Sequence, residues 1–249
     1  MSDHTAQRYP RLDALRGLAV LWMVVFHFSY DLSHFRFTQQ NFYTDPFWTT
    51  QRTVIVSLFL FCAGVGQAVA QAQSRSWSRF WKRWAQVAIC AVLVSAGSWL
   101  VFGPRFISFG VLHGVAVMLL VQRVVAHVWP GLVLGKVLWM LFAVGALCIF
   151  LPWYWQHPFF DSRWTYWLGF ATVKPATEDY VPVLPWLGVL FWGFIAGAWV
   201  LQSRAAWIQG GLPAVFQPLA TLGRYSLSIY MLHQPILFGL MMAIVWWLR

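Results

Sequence analysis

The stretch RLDALRGLAVLWMVVFHFSYDL, residues 11–32, decides the class of fold. A helix needs roughly 20 apolar residues to cross a bilayer core, and this run supplies that length while carrying Asp13, Arg16, His27 and Asp31 within it. Advancing about 100° per residue from Asp13 puts Arg16 near about −60°, Gly17 near about +40°, His27 near about −40° and Asp31 near about 0°. These five share one arc, and Leu12, Leu15, Leu18 and Leu21 fall outside it. Val20 and Val24 fall inside the arc at mid-helix, so the polar groups gather at the two ends of one face. Ionisable groups in a span are costly in lipid, so such a face meets protein or water.

Six more segments have the length and apolarity of spans. With the first at 12–33, they read 53–72, 83–103, 107–127, 132–152, 182–202 and 223–247. The prediction is an all-α, polytopic membrane bundle of about seven transmembrane helices, forming one integral-membrane domain over 1–249. Composition agrees. The 249 residues are 60% apolar and 10% charged, against about 45–50% and about 25% in soluble domains. That balance excludes a disordered chain, a coiled coil and an ordinary soluble enzyme. The long connection 153–181 is rich in Trp, Tyr and Phe, as suits an interfacial aromatic belt. The polar start MSDHTAQRYPR leads into a run holding His and Asp, with no A-x-A site. It reads as a retained first helix rather than a cleaved signal peptide.

The chain has 17 Lys and Arg against 7 Asp and Glu, a net +10. In a soluble protein that excess would suggest nucleic acid. Sorting the charges by side gives another cause. With the N-terminus inside, the inner segments hold 11 basic residues and 2 acids, the outer ones 6 and 5. The densest cluster, SRSWSRFWKRW at 74–84, falls inside. This bias predicts an N-in, C-out topology, with the lipid bilayer as partner and no nucleic acid. Cys62, Cys90 and Cys148 all sit in apolar runs, so no disulfide framework is expected.

Chemistry is concentrated in a few intramembrane groups. His27 and Asp31 are one turn apart on one face. A carboxylate beside an imidazole fixes its tautomer and raises its basicity, so Asp31 is expected to orient His27. In FGVLHGVAV, residues 109–117, His113 falls at about the depth of His27. Gly110 and Gly114 form a small-xxx-small pair that permits close helix approach, and Gly193 and Gly197 form a second, read as packing. In TEDYVPVLPWLG, residues 177–188, Asp179 stands on the same side as Asp31. In LGRYSLSIYMLHQPILFG, residues 222–239, Ser226, Tyr230 and His233 form another polar stripe with Gln234 close by. Pro235 is expected to kink that helix. His4, His34, His127 and His157 are interfacial or in loops and receive no role. No P-loop, HExxH, GxSxG or cysteine-based zinc pattern is present, and no metal site is expected.

Five segments in order, RLDALRGLAVLWMVVFHFSYDL, LFLFCAGVG, FGVLHGVAV, EDYVPVLPWLGVLFWGFIAG and LGRYSLSIYMLHQPIL, resemble small bacterial membrane proteins related to the catalytic domain of heparan-α-glucosaminide N-acetyltransferase. This family sits among transmembrane acyltransferases whose first helix often carries LRG followed by His. The resemblance covers nearly the whole chain. It implies transfer of an acyl group, typically acetyl, from acyl-CoA as co-substrate to a sugar or other envelope acceptor, in a bacterial inner membrane. It would make His27 the catalytic base or acyl carrier, with Asp31 and His113 beside it. It would place Asp13, Arg16, Asp179, Tyr180, Arg224, Tyr230 and His233 in the substrate-binding core. The basic inner surface, including Arg16, Arg75, Arg79, Lys82, Arg83 and Arg224, suits the phosphates of CoA.

Two other functions use intramembrane His and Asp. A proton-coupled transporter builds relays from them, although no internal repeat is visible here. A b-type haem protein ligates iron through His on separate helices, and His27, His113 and His233 would supply them.

Overall fold

The structure is a computed structural model and describes residues 8–129 and 136–248. Among the described residues, seven helices are long and apolar enough to cross a membrane: α1 (Pro10–His34), α2 (Pro46–Ala72), α3 (Trp77–Phe102), α4 (Val111–Val128), α5 (Lys136–Tyr154), α6 (Val183–Ser203) and, after two short helices, α9 (Ser226–Trp247). The short ones are α7 (Ala205–Gln209) and α8 (Gln217–Arg224). No strand occurs among the described residues, only an isolated parallel bridge between Phe109 and Tyr180. The expected all-α, seven-span, multi-pass membrane architecture is observed. The stretch before Arg8, the expected start of the fifth span at 132–135, and Arg249 lie outside the described residues.

Four helix starts differ from the expected ones by three residues or more, each for a local reason, and α3 begins at Trp77 rather than 83 because the Ser76 hydroxyl caps it, accepting from the Arg79 N–H at 3.4 Å. α2 begins at Pro46 rather than 53, because Asp45 caps it: its carboxylate accepts from the Phe47 N–H at 2.8 Å. An acid at the cap with proline at the first helical position favours a start there. α4 begins at Val111 rather than 107, because Phe109 is extended and bridged to Tyr180. Residues 217–224 form the separate helix α8, so the last span starts at Ser226 and not at 223. α9 runs through Pro235 without interruption.

The chain packs as two compact units, residues 1–59 with 206–249 and residues 60–205. In the first unit, α1 buries Asp13, Gly17, Val20 and Asp31, the face read from the sequence. Leu12, Ala19, Met23 and Phe26 are buried too, so the buried arc is wider and leans to one side. Leu18, Leu21, Val25 and Phe28 are exposed opposite it, as a lipid-facing stripe should be. Met23 and Phe26 reach a cluster with Phe42 and Ile55, against which Trp48 and Tyr230 pack. Gly17 and Gly223 let α1 and α8 cross almost backbone to backbone. A Cβ on Gly17 would lie 1.8 Å from the Leu219 carbonyl oxygen, and one on Gly223 would lie 1.8 Å from that of Asp13.

In the second unit glycines again set the crossings. A Cβ on Gly64 would meet the Leu190 carbonyl oxygen at 2.1 Å, and one on Gly193 that of Phe61 at 2.2 Å, so α2 and α6 touch. Gly145 and Gly188 do the same for α5 and α6. There the Trp192 indole donates to the Phe142 carbonyl at 3.2 Å and its ring stacks on Phe142. The Trp84 indole on α3 donates to the Ala116 carbonyl on α4 at 2.9 Å. Cys62, Cys90 and Cys148 form no disulfide among the described residues.

Candidate active site

Inside the first unit, α1 and α9 bring His27 and His233 together with ring centroids 4.8 Å apart, edge to face. His27 Nδ1 lies 2.9 Å from the Met23 carbonyl oxygen, and His233 Nδ1 lies 2.7 Å from that of Tyr230. A carbonyl only accepts, so Nδ1 carries the proton on both rings and Nε2 carries the lone pair. Both imidazoles therefore hold the same tautomer, anchored on their own helices.

Asp31 does not perform the orienting role expected of it. The His27 ring leans back one turn toward the N-terminus, the direction in which helical side chains tilt, and bonds to Met23. Asp31 turns to α9, where the Gln234 amide donates to its Oδ1 at 2.8 Å. Asp31 is fully buried. Its Oδ2, the Gln234 Oε1 and the His233 Nε2 are also buried and have no hydrogen-bond partner among the described residues. Buried polar groups are normally satisfied, and each exception calls for an explanation. Here three fall on two neighbouring helices. The arrangement does not suit a haem held between His27 and His233, because rings in edge-to-face contact leave no space for a porphyrin plane.

At the other end of α1, Asp13 is buried and takes two arginines. Arg16 Nη1 lies 3.4 Å from Oδ1, and Arg224 Nε lies 3.9 Å from Oδ2. Asp13 is fourteen residues before His27, about 21 Å along the helix, so this cluster is separate from the imidazole pair. It sits on the crossing that Gly17 and Gly223 create. The LRG of α1 and the LGR of α8 thus interlock as two halves of one joint.

In the second unit, the long connection is stitched to the start of α4. Asp179 Oδ2 accepts from the Val111 N–H at 2.8 Å. Gly110 and Gly114 receive this extended segment rather than a helix: a Cβ on Gly110 would lie 2.3 Å from Asp179 Oδ2, and one on Gly114 would lie 2.8 Å from the Val181 carbonyl oxygen. Tyr180 donates to the Tyr166 carbonyl at 2.7 Å, and Tyr166 bonds in turn to Ser108. Burial pushes the Tyr180 hydroxyl well above the ordinary tyrosine range, with Tyr166 and Asp161 adding to the shift, so it stays protonated and donates. Arg105 pairs with Glu178 at 2.9 Å.

His113 is fully engaged here. The Gly110 N–H donates to its Nδ1 at 3.3 Å, so Nε2 carries the proton and faces Ser95 Oγ at 3.1 Å. The Ser95 hydroxyl in turn donates to the Ile107 carbonyl at 2.6 Å. This is the opposite tautomer to His27 and His233, with both nitrogens occupied. Such a histidine positions a helix start. It has no lone pair left for a substrate.

Sequence reasoning placed Gln234 near the polar stripe but outside the candidate set, and it missed Ser95 and Tyr166. Nothing in their local sequence marks them, since each acts on a residue remote in the chain.

The interior of the first unit thus presents two imidazoles that hold the same tautomer. The family model described as "Heparan-alpha-glucosaminide N-acetyltransferase, catalytic" matches residues 8–235, nearly the whole chain, and the chain belongs to this family. Neither a search of curated proteins nor one of solved structures found a match.

Proposed function

We propose that the protein is an acyl-CoA-dependent acyltransferase of the bacterial inner membrane. It moves an acyl group, acetyl in the simplest case, to a sugar or another envelope acceptor. The observation that carries this reading is the fixed tautomer of His27, whose anchored Nδ1 leaves the Nε2 lone pair as the reactive position. As the acceptor hydroxyl or amine attacks the thioester carbon, His27 Nε2 takes the acceptor proton. The carbon–sulfur bond then breaks, and the proton passes to the departing CoA sulfur. The same lone pair also serves an acyl-enzyme route, in which Nε2 attacks the thioester carbon and the carbon–sulfur bond breaks to release CoA as thiolate; the acceptor then takes the acyl group from nitrogen and gives its proton to the thiolate. His233 and Asp31 bind the reacting groups around it. His113, Asp179 and Tyr180 act by positioning, and Asp13, Arg16 and Arg224 act at the joint of α1 and α8. The topology is N-in and C-out, with the CoA phosphates meeting the basic inner ends of the helices.

The test is turnover of labelled acetyl-CoA by the full chain in nanodiscs, with wild type beside His27→Ala and His27→Gln. Both variants should lose at least a hundredfold in rate, within the range typical of a removed general base. Transfer by His27→Ala at the wild-type rate overturns the reading. Label exchange between CoA and acetyl-CoA without acceptor selects the acyl-enzyme route. Substrate uptake into proteoliposomes without acyl-CoA replaces the enzyme with a transporter.

A further inference from the structure

The second unit holds an arginine that no carboxylate answers. Arg123 lies on α4, inside a membrane-spanning helix, and its Nε is buried with no hydrogen-bond partner among the described residues. Its Nη2 donates to the Arg75 carbonyl at 2.6 Å, and its guanidinium lies over the Trp77 ring at 4.9 Å. The plane and direction of the guanidinium are therefore set. Between Leu60 and Ala205 the only acids are Asp161, Glu178 and Asp179. All three lie in the long connection and are engaged there: Asp161 with Thr172, Glu178 with Arg105, and Asp179 with Val111. The end of the unit that holds Arg75, Arg79, Lys82, Arg83 and Arg123 thus carries no negative side chain of its own.

A cavity of about 260 Å³ opens at this place, lined by Gln71, Ser74, Arg75, Arg123, Ala126 and His127. Gln73 Oε1 accepts from Arg75 Nε at 3.1 Å and from its Nη2 at 2.9 Å, which steadies the second guanidinium. The His127 ring stands against Trp77, as Arg123 does. A charged group inside a span marks a functional site by default. A bare positive bias in loops explains exposed lysines and arginines. It does not explain a guanidinium clamped inside the end of a helix with a buried donor unmet.

We propose that this cavity is a phosphate-binding site, with Arg123 and Arg75 pairing the phosphate oxygens and Ser74 and His127 at its rim. Arginine forks match phosphate geometry, and basic pockets between spans bind phosphate head groups. The phosphate has two possible sources: the nucleotide end of a CoA thioester, or the head group of an anionic lipid. Only the first source rests on the acyltransferase reading. The site itself stands without it.

The experiment uses the full chain in phosphatidylcholine nanodiscs and reads binding, not turnover, so its failure is distinct from failure of the acyl-transfer reading. Inorganic pyrophosphate and CoA are titrated in turn, and retention of phosphatidylglycerol is followed by native mass spectrometry. Arg123→Gln should weaken the phosphate bound by wild type at least tenfold. Arg123→Lys, which keeps the charge but not the fork, should fall between. Arg163→Gln, exposed in the long connection and outside the cavity, should change binding less than twofold. Should Arg123→Gln fail to fold, His127→Glu places a carboxylate at the exposed rim and should weaken binding as strongly. Binding of pyrophosphate and CoA assigns the nucleotide end of CoA as source, and retention of phosphatidylglycerol alone assigns the lipid. The proposal is overturned if wild type binds neither, if the cavity variants bind as wild type does, or if Arg163→Gln loses as much as Arg123→Gln.

Discussion

The crossing of α1 and α8 makes a sharp prediction, because one chemical change should act with opposite sign at different glycines. In Gly17→Ala, the added methyl would lie 1.8 Å from the Leu219 carbonyl oxygen. Ordinary contact begins near 3.4 Å, so the helices must part by about 1.6 Å or the backbone must bend. Parting them also stretches the 3.9 Å approach of Arg224 to Asp13, which is already at its limit. Overpacking of this kind costs about 1–3 kcal/mol and sometimes more. Gly97 on α3 and Gly239 on α9 are the controls, since a Cβ there meets nothing within 4 Å among the described residues. Alanine at these positions should stabilise by about 0.5–1 kcal/mol, the ordinary gain on replacing a mid-helix glycine. Thermal unfolding in detergent reads the series directly. Gly17→Ala should melt well below wild type, and Gly97→Ala and Gly239→Ala at or above it. If Gly17→Ala melts with wild type, the close crossing is not the structure of this joint.

Two further expectations rest on single contacts. Gln234→Leu removes the donor to the fully buried Asp31 carboxylate and should cost about 1–3 kcal/mol or more, whereas Asp31→Leu with Gln234→Leu together should cost less than Gln234→Leu alone. A double-mutant cycle by thermal melting checks this, and a double variant that melts below Gln234→Leu alone refutes it. Asp161, outside the spans, is held below its ordinary value of 3.8, first by the Thr172 hydroxyl. A depressed folded value stabilises above the unfolded value, and this contribution fades as pH falls from 3.8 through the lower folded value. Asp161→Asn should flatten the acid side of the melting profile, and an unchanged profile refutes it.

The seven spans were legible because length and hydropathy suffice for them, and of the four leucines that periodicity set outside the polar arc of residues 11–32, Leu18 and Leu21 are exposed, Leu15 is half-buried and Leu12 is buried. The site was legible only in part, for physical reasons. Asp31 pairs with Gln234 at a sequence separation of 203, which no local pattern encodes. That His27 bonds to Met23 rather than to Asp31 is a rotamer choice, and both partners sit one turn away in the sequence. Gly110 and Gly114 have the spacing of a helix–helix contact, yet the partner is an extended segment. A missing Cβ records that something comes close and not what it is. The three histidines look alike in sequence, and only their hydrogen bonds separate His113, with no free nitrogen, from His27 and His233.

This separation governs how losses of activity should be interpreted. Asp13, Arg16, Gly17, Gly223 and Arg224 belong to the same resemblance as His27, and changing any of them is expected to lower transfer. Their structural role is already accounted for, since one carboxylate holds two arginines across a joint that only glycine permits. A loss at these positions should therefore accompany a fall in melting temperature and spread over kcat and KM alike. His27 stands differently. Its Nδ1 bond runs within its own helix, so replacing it loosens no contact between helices through that bond. A His27 variant that keeps the wild-type melting temperature and loses kcat assigns chemistry to the residue. The same loss with a lowered melting temperature returns it to the scaffold. Stability and turnover must therefore be measured together on each variant, because the joint and the imidazole pair lie on one helix and a rate alone does not tell them apart.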